Sequence, residues 1–171
     1  DGIAYALNYI KPIKQYLLEM RFKPMPKYHD GALVTSSAKD SPVGKMFIQP
    51  EVKLATGETV LLDEVIGNDF ALIAWGVDPQ WGLSDAAIKQ WKKLGVKFIQ
   101  VIPAVQFNNA NRKQPEGVIT IGDIGTDIRT WFGKTSESVV VLRPDRFVAA
   151  LAIPQTLDQV SQQLFAKLHV K

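Results

Sequence analysis

Residues 138–153 read SVVVLRPDRFVAALAI, and this stretch decides the fold. Val139 to Leu142 is an unbroken β-favouring run, and Phe147 to Ile153 is an unbroken apolar one. Runs that are apolar at every position suit strands covered on both faces of a sheet, not strands with one wet face. Between them lies Arg143-Pro144-Asp145-Arg146. Pro144 presets φ for the second position of a type I turn, and Asp145 suits the third. The stretch therefore reads as a hairpin, with Arg143, Pro144 and Asp145 as turn formers and not as catalysts.

Working upstream, Phe70 to Trp75 (FALIAW) and Val96 to Ile102 (VKFIQVI) are the next buried strands. Ser84 is placed to cap a helix running to Leu94 between them, with Ile88, Trp91 and Leu94 on one face and Gly95 ending it. Residues 104–116 read as polar loop, and Val118 to Ile121 as a short strand. Ile124, Ile128, Trp131 and Phe132 suggest a short amphipathic helix closed by Gly133. Downstream, Thr156-Leu157-Asp158-Gln159 has the form of a capping box before an apolar stripe of Leu157, Val160, Leu164 and Leu168. Strand, helix, strand implies parallel pairing, and the hairpin adds antiparallel strands. The predicted class is α/β: a thioredoxin-like mixed sheet with flanking helices.

Before this regular part the pattern changes. Val52–Leu54 and Thr59–Leu62 read as short strands on either side of Thr56-Gly57. Residues 21–50 are punctuated by Pro24, Pro26, Gly31, Pro42, Gly44 and Pro50, so they read as an irregular connector. Residues 1–20 carry Ile3, Ala6, Leu7, Ile10, Ile13 and Leu17 at near-helical spacing, interrupted by Pro12. The expected organisation is a helical arm (1–20), a connector (21–50) and a thioredoxin-like domain (51–171). The arm's stripe has no partner nearby in sequence. The chain opens on Asp1, not methionine, so it is expected to be a piece of something longer.

Composition excludes several classes of function. The chain has no cysteine, which removes disulfides, thiolate metal sites and thiol nucleophiles, and fits a cytoplasmic setting. The net charge of +3 is spread along the chain, and only Lys92, Lys93 and Lys97 approach a cluster. That is a solvated face and not a nucleic-acid footprint. No apolar run reaches the roughly 18–20 residues of a membrane span, and no signal peptide is visible.

The motifs of chemistry are missing too. In a thioredoxin fold the redox site follows the first central strand, which here gives Trp75 to Ser84, WGVDPQWGLS. With no thiol, disulfide exchange is impossible there. The turn before the hairpin, Lys134-Thr135-Ser136-Glu137, lacks the proline such folds place in cis. His29 and His169 stand alone, Asp63 and Glu64 are adjacent and diverge, and no phosphate-binding glycine motif exists. Asp123, in Gly122-Asp123-Ile124-Gly125, reads as a cap or turn residue. Trp81 sits where a thioredoxin presents its active site. It serves either as a cover over the core or as a contact with another domain or subunit. Trp81, Pro79, Phe22 and Met25 are the candidate interface residues.

The stretches LEMRFKPMP (18–26), SPVGKMFIQPEVKL (41–54), FALIAWG (70–76), WGLSD (81–85) and VVVLRPDRFVA (139–149) carry a resemblance. Together they look like the C-terminal part of the FAD-dependent aromatic hydroxylases, single-component flavoprotein monooxygenases of the phenol and polyketide hydroxylase type. The resemblance implies a parent enzyme with FAD-binding and substrate domains upstream, a thioredoxin-like C-terminal domain and a dimeric assembly. It also implies ortho-hydroxylation of a phenol with NADH and O2. The family's dinucleotide glycines and flavin motifs match no position here, so no catalytic, cofactor-binding or metal-binding residue is carried over. The competing expectation is a stand-alone, non-redox thioredoxin-like module that binds partner proteins.

Overall fold

The computed structural model describes residues 27, 31–34, 40–108 and 114–169. The expected N-terminal helical arm, with Phe22, Met25 and His29, lies outside them. The strands are β1 (Glu51–Lys53), β2 (Thr59–Leu61), β3 (Ala71–Trp75), β4 (Lys97–Pro103), β5 (Val118–Asp123), β6 (Val139–Leu142) and β7 (Val148–Ala152). The helices are α1 (Leu62–Ile66), α2 (Asp85–Lys93), α3 (Asp127–Phe132) and α4 (Pro154–Lys167). A 3-10 helix, Ala104–Asn108, follows β4.

All seven strands form one sheet in the order β2-β1-β5-β4-β3-β6-β7. β3 pairs in parallel with β4, and β4 with β5. β6 runs antiparallel to β3, β7 to β6, and β1 to both β5 and β2. This is the predicted mixed sheet.

The apolar runs explain where it is thickest. All four residues of β6 and the first four of β3 are buried. In register, Ile73 faces Val140 and Leu72 faces Val141. Successive side chains point to opposite faces, so these strands feed two cores. One holds Ile73, Ile99, Val101, Ile121, Val140 and Leu142 under α1 and α3. The other holds Leu72, Ala74, Val139, Val141 and Ala150 under α2 and α4. Trp91 of α2 is fully buried in the second core, and its Nε1 donates to Ser161 Oγ of α4 at 2.9 Å.

Several expectations need correction. Within the expected connector (21–50), the described residues 31–34 and 40–50 pack on the domain: Leu33, Val43 and Phe47 are buried in the first core. Val34 and Gly44 donate to Ala149 and Val148, Val148 donates to Lys45, and Phe47 donates to Arg146. The segment thus lines the outer edge of β7 and covers backbone groups that an edge strand would leave open. The C-terminal helix starts at Pro154, two residues before the expected capping box, because proline is preorganised for the first helical position. Thr156 Oγ1 instead donates to Ile153 O within the first turn. β5 continues through Gly122 and Asp123, and residues 104–116 begin with the 3-10 helix. A Cβ on Gly122 would come within 2.8 Å of the Phe107 ring and 3.0 Å of Ala104 Cα, so that helix packs directly on the strand. Ile124 is exposed and lies outside α3, because Thr126 turns into the left-handed region (φ 64) before the helix begins.

The Trp91–Ser161 bond ties α2 to α4 inside the second core. Trp91→Phe leaves Ser161 Oγ buried without that donor and should cost about 1–3 kcal/mol. Denaturant unfolding should show a lower midpoint at unchanged slope. The Trp91→Phe/Ser161→Ala double variant should recover part of the loss.

Candidate docking site

The loop between β3 and α2 occupies the redox position of the thioredoxin fold, and its backbone is tied down along its length. Gly76 (φ 75) donates to Val101 O at 2.8 Å. Asp78 Oδ1 accepts from Gln80 N at 2.8 Å, and Asp78 O accepts from Trp81 N at 3.0 Å. Gln80 Nε2 reaches Glu116 O at 2.9 Å. Gly82 (φ 93) lies so close to α4 that a Cβ there would sit 1.9 Å from Pro154 O. Ser84 N and Oγ both donate to Asp158 Oδ1, at 2.8 and 2.7 Å, while Ser84 Oγ accepts from Ala87 N as the α2 cap.

The loop itself presents no activated nucleophile. The only hydroxyl in the loop, Ser84, is committed to a carboxylate and a helix N-terminus, with no histidine in the loop to activate it. The loop's product is a fixed surface. Trp81 is 63% exposed at its tip, whereas Pro79 is buried. Of those two candidate interface residues, only Trp81 offers area to a neighbour.

At the opposite end of β7, Arg146 N donates to Arg143 O at 2.9 Å and closes the turn over Pro144 and Asp145. Arg143 Nη2 donates to Asp145 Oδ2 at 2.6 Å. Sequence reasoning missed the role of Arg146. It adopts φ 68, a conformation costly for a residue with a Cβ, and a register shift follows at Val141/Leu142. Its guanidinium reaches α1: Nε donates to Asp63 Oδ1 at 2.9 Å, and Nη2 donates to Gly67 O. Gln49 Nε2 holds the other Asp63 oxygen at 2.8 Å. The available signal was an arginine where such a turn favours glycine.

Asp123 caps α3 from a distance. Its Oδ2 accepts from Arg129 N at 2.9 Å, serving the helix end that Thr126 leaves uncapped. An open groove of about 270 Å³ lies between Ile48–Pro50 and α3, lined by Trp131, Asp127 and Lys134. Among the described residues no three His, Asp or Glu side chains come together as a metal site, and no helix is long and apolar enough to cross a membrane.

The family model described as the HcaD C-terminal domain matches residues 44–167. The chain belongs to that family. Two relatives of this HcaD C-terminal domain are named 3-(3-hydroxy-phenyl)propionate/3-hydroxycinnamic acid hydroxylase. The Klebsiella pneumoniae (strain 342) protein is 56% identical over 98% of this chain, and the Escherichia coli (strain SMS-3-5 / SECEC) protein 54% identical over 96%. The chain spans 30% of the length of each. Among solved structures, the flavin-dependent monooxygenase PieE superposes on 86% of the chain, which spans 26% of PieE, with a TM-score of 0.56 at 16% identity. A thioredoxin-like protein from Bacteroides caccae superposes on 72% of the chain, which spans 49% of that protein, with a TM-score of 0.55 at 17% identity. At such identities the superpositions show the fold alone, and that fold is thioredoxin-like.

The Arg146 staple and its backbone strain can be separated. Arg146→Ala should lose about 2–3 kcal/mol, since charged hydrogen bonds are removed. Arg146→Gly should lose about 1 kcal/mol less, because glycine accepts positive φ. Equal losses in denaturant unfolding would show that the left-handed backbone carries no cost.

Proposed function

We propose that this HcaD C-terminal domain is the docking and assembly domain of a cytoplasmic flavoprotein monooxygenase. That enzyme ortho-hydroxylates a 3-(3-hydroxyphenyl)propionate-type phenol using FAD, NADH and O2. One observation carries the reading: 98% of this chain aligns at 56% identity with a hydroxylase of which it spans 30%. The division of labour follows. Residues 1–20 end the catalytic region, residues 21–50 connect it to the thioredoxin-like domain of 51–171, and the oxygen chemistry belongs to upstream FAD and substrate domains. Dimerisation of the whole enzyme is part of the proposal.

The reading assigns no flavin contact to the described residues. The N-terminus of α2, which could hold a phosphate, is taken by Ser84 and faced by the carboxylates of Asp85 and Asp158. No step of the reaction is assigned to this chain.

The test is the coding sequence upstream of Asp1 together with its protein product. Several hundred residues containing G-x-G-x-x-G are expected. The full polypeptide should purify with bound FAD and oxidise NADH in a phenol-dependent manner. A start codon directly before Asp1 would overturn the reading and leave the stand-alone binding module.

A further inference from the structure

The groove beside α3 combines an apolar lining with unused charge. Ile48, Pro50 and Trp131 line it together with Asp127, Thr130 and Lys134. Pro50 is buried and Trp131 half-buried, whereas Asp127, Thr130 and Lys134 are exposed. Gln49, the remaining lining residue, is committed to Asp63, whose charge is met by Arg146. Asp127 and Lys134 form no ion pair with a described residue. Arg129 shares the helix but does not line the groove. One free carboxylate and one free ammonium therefore flank an indole and a proline. At 1.5 Å per residue along α3, they stand about 10 Å apart.

The chain carries a segment of matching chemistry. Residues 21–26, Arg21-Phe22-Lys23-Pro24-Met25-Pro26, precede the described part. The two prolines hold φ at about −65° and push Lys23 and Met25 out of the helical region, so the sequence favours extended, polyproline-like backbone. Prolines cannot donate to a sheet ladder, and the β7 edge is already taken by residues 34–47. Stiff segments of this kind dock instead in aromatic-lined grooves, at little entropic cost. At about 3.1 Å per residue, Lys23 to Pro26 spans about 9 Å, close to the Asp127–Lys134 spacing. With Lys23 at Asp127, the prolines meet Trp131 and Pro50. The segment's backbone carbonyls, unpaired in such a conformation, then accept from Lys134 and the Thr130 hydroxyl.

The chain also reaches. Leu33 is buried in the first core with Phe47, and the Phe47 ring centre lies 4.6 Å from that of Trp131. The stretch from Pro26 to Leu33 can extend up to about 24 Å. We infer that residues 21–26 dock in this groove as an extended strap, clamping the chain that precedes the domain onto α3. Phe22 and Met25, expected from the sequence as interface residues, belong to this strap. The inference goes beyond the proposed function and concerns the 171-residue chain by itself.

Paired cysteine substitutions test it, because the chain has no cysteine of its own. A disulfide needs Cα atoms within about 7 Å. Met25→Cys/Thr130→Cys should therefore close an intramolecular disulfide at least about tenfold faster than Met25→Cys/Gln162→Cys. Gln162 is exposed on α4, which covers the other core. Adding Asp127→Asn to the first pair should slow closure by about threefold at low salt, where the charge pair is least screened. Equal closure rates in the two pairs would overturn the inference, and so would a first pair that Asp127→Asn leaves unchanged. Disulfides formed only between molecules would also overturn it and assign the groove to a second copy.

Discussion

The pairing of β3 with β6 is the interaction on which the rest of the structure depends. Eight residues of these two strands are buried, Ala71–Ala74 and Val139–Leu142, so neither face of the sheet centre meets water. A strand with no wet face must be covered twice. That requirement brings α1 and α3 to one side and α2 and α4 to the other. It also forces every connection out to the sheet ends, where loops can satisfy their backbone groups. The Trp81 loop and the Arg143–Arg146 turn are two such connections, at opposite ends.

What was legible in the sequence follows from which signals are local. The apolar runs of β3, β4 and β6 were readable because their cause is composition. The Ser84 cap was readable because its partner, Ala87 N, is three residues away. The capping box at Thr156–Gln159 misled for the same reason. It is a valid local pattern, but Pro154 starts the helix earlier, and Asp158 is drawn 74 residues along the chain to Ser84. Gly31, Pro42, Gly44 and Pro50 lie in irregular backbone among the described residues. They carried no information about burial, and the three apolar residues Leu33, Val43 and Phe47 enter the core without regular spacing. Arg146 was visible only as an anomaly, since its partner Asp63 lies 83 residues away.

The candidate site shows how a redox scaffold becomes a surface. Without thiols the loop cannot exchange disulfides, and nothing in that chemistry requires it to be ordered. Here it is instead held by Asp78, Gln80, Gly82 and Ser84. Holding a loop so firmly around an exposed indole makes sense where shape matters more than reactivity. The N-terminus of α2 is occupied by Ser84 and faced by the carboxylates of Asp85 and Asp158.

The central claim is that this domain supplies surface and not chemistry, and a fluorescence titration of the 171-residue chain with FAD tests it most directly. The account predicts no saturable change in flavin emission and no flavin-dependent rise in thermal stability. Stoichiometric, saturable binding accompanied by stabilisation would contradict it.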